Sequence, residues 1–381
     1  MASEMLKIMT IVGTRPDTIK MAPILYEFET REEVTSYLCS SGQHFEMLQQ
    51  ALDIFSLTPD YDLRVMTTSQ TLSSLTSRLI PAISQTLISV QPDIVLVHGD
   101  TTTAFCGALS AFYNEIPVVH VEAGLRTNQI SEPFPEEFNR QAIARIADLN
   151  FCPTEQASLN LLNEGVEKEK IVVSGNSVVD SLRIMKFRIQ NDLSFLSEMN
   201  DEFAKLFDFS VSDSNFILVT IHRRENIGIG ITEVCNALKR LAENFPDTKI
   251  VIPVHLNPAV SKVVNDELRH LSNAYLIPPQ PYSRFVSLLL NCLFVISDSG
   301  GIQEECVSLG KQVLVTRNMT ERGEGIDSGF LKMVSTDQDK IFKLASDMLL
   351  NPVSDGNYGT NPYGEGEISK RIVDKILKEY N

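Results

Sequence analysis

The sequence predicts an α/β protein of two domains, each a parallel sheet covered on both faces by helices. Three observations predict it. The chain has 381 residues, 43% hydrophobic and 22% charged, enough for two ordinary cores and too balanced for a disordered or fibrous protein. Short β-branched runs alternate with longer helical patterns along the whole length. The runs are near-continuously apolar, and each is followed by Gly, Asp, Asn or Ser before a helix, as expected of strands buried on both faces with ligand sites at their carboxyl ends.

Taken in order, strands are expected over Lys7–Val12, Asp93–His98, Pro117–Val121 and Lys170–Val173 in the first half. In the second half they are expected over Asn215–Thr220, Lys249–Pro253, Ala274–Ile277, Cys292–Ser297 and Lys311–Thr316. Between them the sequence turns charged and polar, with Asn200, Asp201, Glu202, Ser210, Ser212 and Asp213, and then restarts with a fresh apolar run. That gives a first domain at residues 1–180, a linker at 181–214 and a second domain at 215–360. Ile368, Ile372, Val373, Ile376 and Leu377 then fall on one helical stripe, so residues 361–381 are expected to end in a helix that packs back on the N-terminal domain.

Lys plus Arg total 33 against 49 Asp plus Glu, a formal charge of −16, so the overall field repels nucleic acid and anionic membranes. Any anionic ligand must be held locally. No apolar stretch approaches the roughly 20 residues that span a bilayer, and Met1–Lys7 has no export-signal pattern, so a cytoplasmic location is expected. Cys39, Cys106, Cys152, Cys235, Cys292 and Cys306 form no Cys-x-x-Cys pair and read as reduced, buried thiols. The histidines show no His-x-x-x-His spacing, so no metal site is expected. The chain has no Gly-x-Gly-x-x-Gly fingerprint, no phosphate loop ending in Gly-Lys-Ser/Thr and no Gly-x-Ser-x-Gly elbow, so NAD, ATP hydrolysis and serine-hydrolase chemistry are not indicated. No cofactor is expected.

The chemistry sits after the strands. Gly13 follows the first strand and allows a sharp turn, while Arg15 and Lys20 put two cations beside it. Asp100 in His98-Gly99-Asp100-Thr101 and Glu122 in His120-Val121-Glu122-Ala123-Gly124 each stand just beyond a strand, and Glu136 opens the following helix. Three acids converging at one sheet edge would raise at least one pKa, a basis for acid/base catalysis. Read blandly, Asp100 and Glu122 would be strand-end turn residues and Glu136 would only complement a helix dipole. In the second half, Asp298-Ser299-Gly300-Gly301 opens a helix whose exposed N–H groups suit phosphate, and Glu305 lies one turn in, within reach of ribose hydroxyls. His222-Arg223-Arg224 and Glu321-Arg322 follow further strands of the same sheet.

Together, Gly13-Thr14-Arg15-Pro16, Gln43-His44, His98-Gly99-Asp100-Thr101-Thr102-Thr103, His120-Val121-Glu122-Ala123-Gly124-Leu125-Arg126-Thr127, Pro135-Glu136-Glu137-x-Asn139-Arg140, His222-Arg223-Arg224-Glu225, Pro253-Val254-His255-Leu256-Asn257-Pro258, Asp298 to Glu305 and Asn361-Pro362-Tyr363-Gly364 resemble the bacterial non-hydrolysing UDP-N-acetylglucosamine 2-epimerases. The resemblance runs from about residue 7 to the C-terminus. It implies two Rossmann-like domains facing a cleft, as in glycosyltransferases of the B type. It implies interconversion of UDP-N-acetylglucosamine and UDP-N-acetylmannosamine without NAD, by anti elimination of UDP to 2-acetamidoglucal and syn re-addition. By the same resemblance Asp100, Glu122, Glu136 and His222 are catalytic. Arg15, Lys20, Ser299, Gly300, Gly301 and Arg322 hold the diphosphate, Glu305 the ribose, and Phe285 lies near the uracil. Gln43, His44, Arg223 and His255 hold a second UDP-N-acetylglucosamine with an allosteric role, and the protein is a homodimer that serves polysaccharide biosynthesis.

Two departures bear on substrate fit. Gly323-Glu324 stands where the family has Pro-Glu after the arginine matching Arg322, and is expected to loosen a phosphate-side loop. Ile221 stands where a Gly commonly precedes the matching histidine, and is expected to crowd the turn before His222. The rival enzyme is a UDP-sugar glycosyltransferase on the same fold, which would need an acceptor. A hydrolysing epimerase would release free N-acetylmannosamine, and a catalytically silent nucleotide-sugar sensor would bind without turnover.

Overall fold

Each apolar run singled out in the sequence is a parallel strand in the computed structural model, which describes residues 5–43, 45–67, 70–351 and 359–380. Two units are formed, Met1–Ser181 with Tyr363–Asn381 and Leu182–Pro362. The first contains β1 (Leu6–Val12), α1 (Arg15–Glu29), β2 (Val34–Ser40), α2 (Phe45–Ile54), β3 (Tyr61–Asp62), α3 (Leu72–Val90), β4 (Ile94–His98) and α4 (Thr102–Tyr113). It continues through β5 (Val118–Val121), α5 (Glu136–Ile146), β6 (Leu149–Cys152), α6 (Glu155–Asn163), β7 (Ile171–Val173) and the start of α7 (Val178–Asn191). The second contains α8 (Leu193–Ala204), β8 (Phe216–Thr220), α9 (Ile229–Asn244), β9 (Lys249–Pro253), α10 (Pro258–Leu268), β10 (Ala274–Ile277) and α11 (Tyr282–Asn291). After these come β11 (Val295–Ser297), α12 (Gly300–Ser308), β12 (Val313–Val315), α13 (Gly323–Asp327), β13 (Leu331–Met333) and α14 (Gln338–Leu350); α15 (Ile368–Tyr380) closes the chain.

The first sheet runs β3-β2-β1-β4-β5-β6-β7 and the second β10-β9-β8-β11-β12-β13, all pairs parallel. In each, the strand order reverses once, between β1 and β4 and between β8 and β11. At such a switch point the loops leave the sheet edge in opposite directions and open a crevice at the carboxyl ends. Register brings Ile11 beside Val97, Val97 beside His120, and Thr220 beside Ser297, so the loops after β1, β4 and β5 share one edge and those after β8 and β11 share the other. Ile8, Met9, Ile11, Val95 and Val97 in the first sheet and Ile217, Val219 and Ile296 in the second are almost wholly buried, as strands covered on both faces must be.

α15 belongs to the first unit, as its stripe suggested. Ile368, Ile372, Val373, Ile376 and Leu377 are all buried. Removing five such side chains from water contributes on the order of 10 kcal/mol before the entropy of ordering the helix is subtracted. Polar contacts fix its direction: Arg31 pairs with Asp374 at 2.7 Å, the Ser369 N–H donates to Asp180 at 2.7 Å, and Arg371 donates to the Ser174 carbonyl at 2.9 Å.

The stretch 181–214, expected as a linker, is largely helical. α7 runs on to Asn191 and α8 follows after one residue. Asn200, Asp201, Ser210, Ser212 and Asp213 are exposed while Met199, Phe203 and Phe207 are buried, and Phe207, Phe209 and Tyr275 meet at ring distances of 4.8–5.8 Å. All six cysteines are buried and unpaired. No described helix is long and apolar enough to cross a membrane.

Candidate active site

At the first switch point, Gly13 is required by crowding: a Cβ there would run into Thr103 Oγ1 and lie 2.7 Å from Ser41 Oγ. The tight turn leads into α1, where the buried Asp17 carboxyl accepts from the Gly13 and Thr14 N–H groups, each at 3.2 Å. Burial pushes Asp17 up to about 7 and the nearby Asp100 adds to this, against the opposing hydrogen bonds of Thr14 and Gly13.

Glu122, the first residue after β5, sits in the left-handed region with φ +63°, a conformation rare for a side-chain-bearing residue and typical of sites where geometry is held against local preference. It forms a buried ion pair with Lys20 and accepts from Asn176 Nδ2 at 2.8 Å. The turn at Gly99 passes close by: a Cβ on Gly99 would be 3.6 Å from Glu122 Oε1. Between the acids stands His98, with Nδ1 3.9 Å from Asp17 and Nε2 3.8 Å from Glu122. Neither ring nitrogen has a hydrogen-bond partner among the described residues. Burial drives His98 down to about 4, outweighing the pull of Glu122, so the ring is neutral at pH 7. His120, whose Nε2 donates to the Gly99 carbonyl at 2.7 Å, is lowered to about 4 for the same reason.

Asp100 is held from α5: Arg140 reaches its carboxylate at 2.8 Å and Asn139 donates to its carbonyl at 2.8 Å. The two acids opening α5 have separate environments. Glu137 is fully buried and accepts from the N–H groups of Thr127 and Asn128 and from Gln141, so it ties the loop after β5 to the helix. Glu136, the first helical residue, is half-buried, and its carboxylate makes no hydrogen bond or ion pair among the described residues. Both acids lie in the first turn of α5, where either complements the helix dipole.

The second switch point is built differently. α12 starts at Gly300 behind Ser299, whose side chain makes no capping hydrogen bond. Arg322 lies against that helix start so closely that a Cβ on Gly300 would be 2.8 Å from its guanidinium. Arg322 is held there by Glu304, at 3.0 and 2.9 Å, and by Glu321. Helix-end amides beside a guanidinium make an anion site. Glu305 is buried on the same helix and Phe285 on α11.

His222 follows β8, and its Nδ1 is 3.2 Å from the carboxylate of Asp298 at the end of β11. Its ring stacks on His255 at 5.6 Å with 21° between planes. Burial lowers the pKa of His222 against the raising effect of Asp298. Ile221, expected to crowd this turn, instead points into the core with Ile231, Val234 and Leu238. Gly323 opens α13, and a Cβ there would meet nothing within 4 Å, so no close contact demands a glycine at this position.

The expected residues therefore divide. Arg15, Lys20, Gln43, Asp100, Glu122 and Glu136 stand on the first unit, and His222, Arg223, His255, Phe285, Ser299, Gly300, Gly301, Glu305 and Arg322 on the second. Lys20, expected on a diphosphate, is paired with Glu122. Gln43 accepts from Thr103 Oγ1 at 2.8 Å, and His44 lies outside the described residues. Sequence reasoning gave no catalytic or binding role to Asp17, His98, Asn176, Arg140 or Asp298, although His98, Arg140 and Asp298 lie inside motifs it had singled out and Asp17 adjoins one. No group of three or more His, Cys, Asp and Glu placed to hold a metal occurs among the described residues.

A family model described as UDP-N-acetylglucosamine 2-epimerase matches residues 26–377. A Campylobacter jejuni protein named UDP-N-acetylglucosamine 2-epimerase is 44% identical over 378 residues, 98% of either chain. One of the same name from Bacillus subtilis is 42% identical over 377 residues, 98% of this chain and 96% of that one. The crystal structure of UDP-GlcNAc 2-epimerase from Neisseria meningitidis bound to UDP-GlcNAc superposes with a TM-score of 0.92 at 41% identity, covering 98% of this chain and all of that one. The chain belongs to the UDP-N-acetylglucosamine 2-epimerase family.

Proposed function

We propose that this member of the family interconverts UDP-N-acetylglucosamine and UDP-N-acetylmannosamine through 2-acetamidoglucal. In the forward direction the proton on carbon 2 passes to a carboxylate and its electron pair forms the carbon 1–carbon 2 double bond. The carbon 1–oxygen bond breaks and UDP leaves with the electron pair of that bond. In the second half UDP adds back to carbon 1 and a proton returns to carbon 2 on the opposite face. The sugar is regenerated without an oxidant, so no redox cofactor is required.

The observation that carries this is the pair of carboxylates at adjacent strand ends, Asp100 held by Arg140 and Glu122 held by Lys20 and Asn176 in a left-handed backbone conformation. Two fixed acids are what proton removal from one face and return to the other require. Glu136, with no structural partner among the described residues, is the third proton carrier. His222 serves the phosphate side. Ser299, Gly300, Gly301 and Arg322 bind charge that grows on the diphosphate as the carbon 1–oxygen bond breaks, and so lower the barrier; Arg15 and Lys20 add positive charge, Glu305 takes the ribose and Phe285 the uracil. Two solved relatives support this substrate class: the Neisseria structure is described as bound to UDP-GlcNAc, and the Methanocaldococcus jannaschii epimerase, 30% identical with a TM-score of 0.84, as a complex with UDP-GlcNAc and UDP.

The test is chromatography of purified protein with UDP-N-acetylglucosamine in EDTA without NAD. The expected result is UDP-N-acetylmannosamine, with the same final ratio reached from either epimer. Turnover only with an added acceptor, or release of free N-acetylmannosamine, would contradict it.

A regulatory role for Gln43, His44, Arg223 and His255 is favoured by one contact, the stacking of His255 on His222. A second nucleotide sugar held by His255 would bias the ring beside it, and a ligand that prefers the active conformation raises its population. UDP-N-acetylmannosamine alone should then react with a lag that a trace of UDP-N-acetylglucosamine abolishes. Linear progress without a lag would remove this role.

A further inference from the structure

We propose that Asp298 is the positioning residue of His222: its carboxylate fixes the neutral imidazole with the proton on Nδ1, leaving Nε2 as the nitrogen that gains and loses a proton. The proposal rests on the assignment of His222 to catalysis.

Asp298 stands where a helix cap would be expected, between β11 and α12, yet the N-cap of α12 is Ser299 and the Asp298 carboxylate turns to the loop after β8. The pairing of Thr220 with Ser297 brings the two strand ends together, and their hydroxyls share a 2.7 Å hydrogen bond. In this place Asp298 is fully buried. Its Oδ2 accepts from the His222 N–H at 3.0 Å, the Arg223 N–H at 2.9 Å and Asn226 Nδ2 at 3.0 Å. Its Oδ1 accepts from the His222 N–H at 3.1 Å and faces His222 Nδ1 at 3.2 Å.

Only donors surround this carboxylate. A ring nitrogen at 3.2 Å with its lone pair toward Oδ1 would set two acceptors against each other beside a fully buried carboxylate, whereas an Nδ1–H at that distance is attracted to it. The neutral ring therefore carries its proton on Nδ1. The His255 ring stacks on one face of the His222 ring. The His255 Nδ1 accepts from the Asn257 N–H at 3.1 Å, so its own proton lies on Nε2. Because Asp298 adjoins Ser299 in the chain, one rigid carboxylate joins the anion-binding turn to the ring that works beside it. A carboxylate on the far nitrogen of a catalytic histidine fixes its tautomer in other enzymes, where the matching amide loses several orders of magnitude in turnover.

The direct test is 15N NMR of the full chain labelled at histidine, near pH 8 where the ring is neutral, with the His222 signals assigned by their loss in His222→Asn. The expected wild-type pattern is a protonated, pyrrole-type Nδ1 and an unprotonated, pyridine-type Nε2. Asp298→Asn should shift the proton toward Nε2 and lower kcat by about 100-fold or more, with KM changed less than about threefold. A wild-type ring with its proton on Nε2 would overturn the proposal whether or not the variant folds, and so would a folded Asp298→Asn protein with wild-type ring signals and turnover. Full turnover in His222→Asn would instead overturn the assignment of the histidine itself.

Discussion

At the switch point between β1 and β4, charged groups are held by other side chains; at the one between β8 and β11, backbone N–H groups share that work with side-chain ion pairs. In the first, Asp17, His98, Lys20, Glu122, Asn176, Asp100 and Arg140 interlock, and Asp17, His98 and Lys20 are almost out of water. In the second, helix-end amides meet one guanidinium, and a single buried carboxylate gathers two N–H groups, an amide and an imidazole. The difference follows from the work proposed for each. Proton transfer needs groups that change protonation state, which only side chains supply, whereas the charge growing on a leaving diphosphate is served by fixed dipoles and a fixed cation. The first arrangement is strongly coupled and intolerant; the second should lose affinity before it loses its fold.

The comparison breaks most sharply at Lys20. Lys20→Met leaves the Glu122 carboxylate buried without its cation, and loss of one partner of such a pair costs about 3–5 kcal/mol. Denaturant unfolding should register it as a large drop in midpoint. A loss under about 1 kcal/mol would mean that the pair is solvated and the coupling weak.

Next come the proton carriers. Asp100→Asn, Glu122→Gln, Glu136→Gln and His222→Asn should each lower turnover at least about 100-fold in folded protein, the ordinary contribution of a positioned acid or base. Steady-state kinetics with circular dichroism checks this. Near-wild-type rates in Glu136→Gln alone would return that residue to a helix-dipole role.

A pH experiment sharpens the contrast at about half that scale. Asp17 is raised from 3.8 unfolded to about 7 folded, so the folded state binds the extra proton and the stability this contributes is lost as pH rises from about 4 toward 7. His98 and His120, lowered from 6.5 to about 4, act oppositely: their contribution is lost as pH falls through that range. Asp17→Asn keeps both histidines, so its stability relative to wild type should improve by on the order of 2 kcal/mol between pH 5 and pH 7. A flat difference would show that Asp17 is charged throughout.

The smallest effect is expected on the second unit. Gly300→Ala would push Arg322 off the helix start, and KM should rise about tenfold, or about 1.4 kcal/mol, with stability little changed. A collapse in stability would make this site as coupled as the first.

What the sequence made legible follows the same division. Strands such as β1, β4, β5 and β8 announced themselves as buried β-branched runs, whereas β2, half-exposed at its start and carrying Thr35 and Ser36, and the four-residue β6, interrupted by Asn150, lacked the apolar run. Residues 181–214 passed for a linker because polar residues outnumber the few, Met199 and Phe203 among them, that anchor α8. Asp100, Glu122 and the Gly300 turn could be read because each directly follows a strand. Asp298 could be seen only as a turn residue, since its role depends on His222, 76 residues away, and Asn176 reaches Glu122 across 54. Such partners are set by register between strands, which local pattern does not encode.

The central claim, that carboxylates of the first unit move the proton at carbon 2 while the second unit holds the diphosphate, is tested most directly by proton NMR of UDP-N-acetylglucosamine with the protein in deuterated water. The wild-type protein should place deuterium at carbon 2 of both epimers, and Glu122→Gln should stop this exchange while still binding UDP with near-wild-type affinity in calorimetry. Epimerisation that keeps protium at carbon 2, or a Glu122→Gln protein that exchanges at the wild-type rate, would contradict it.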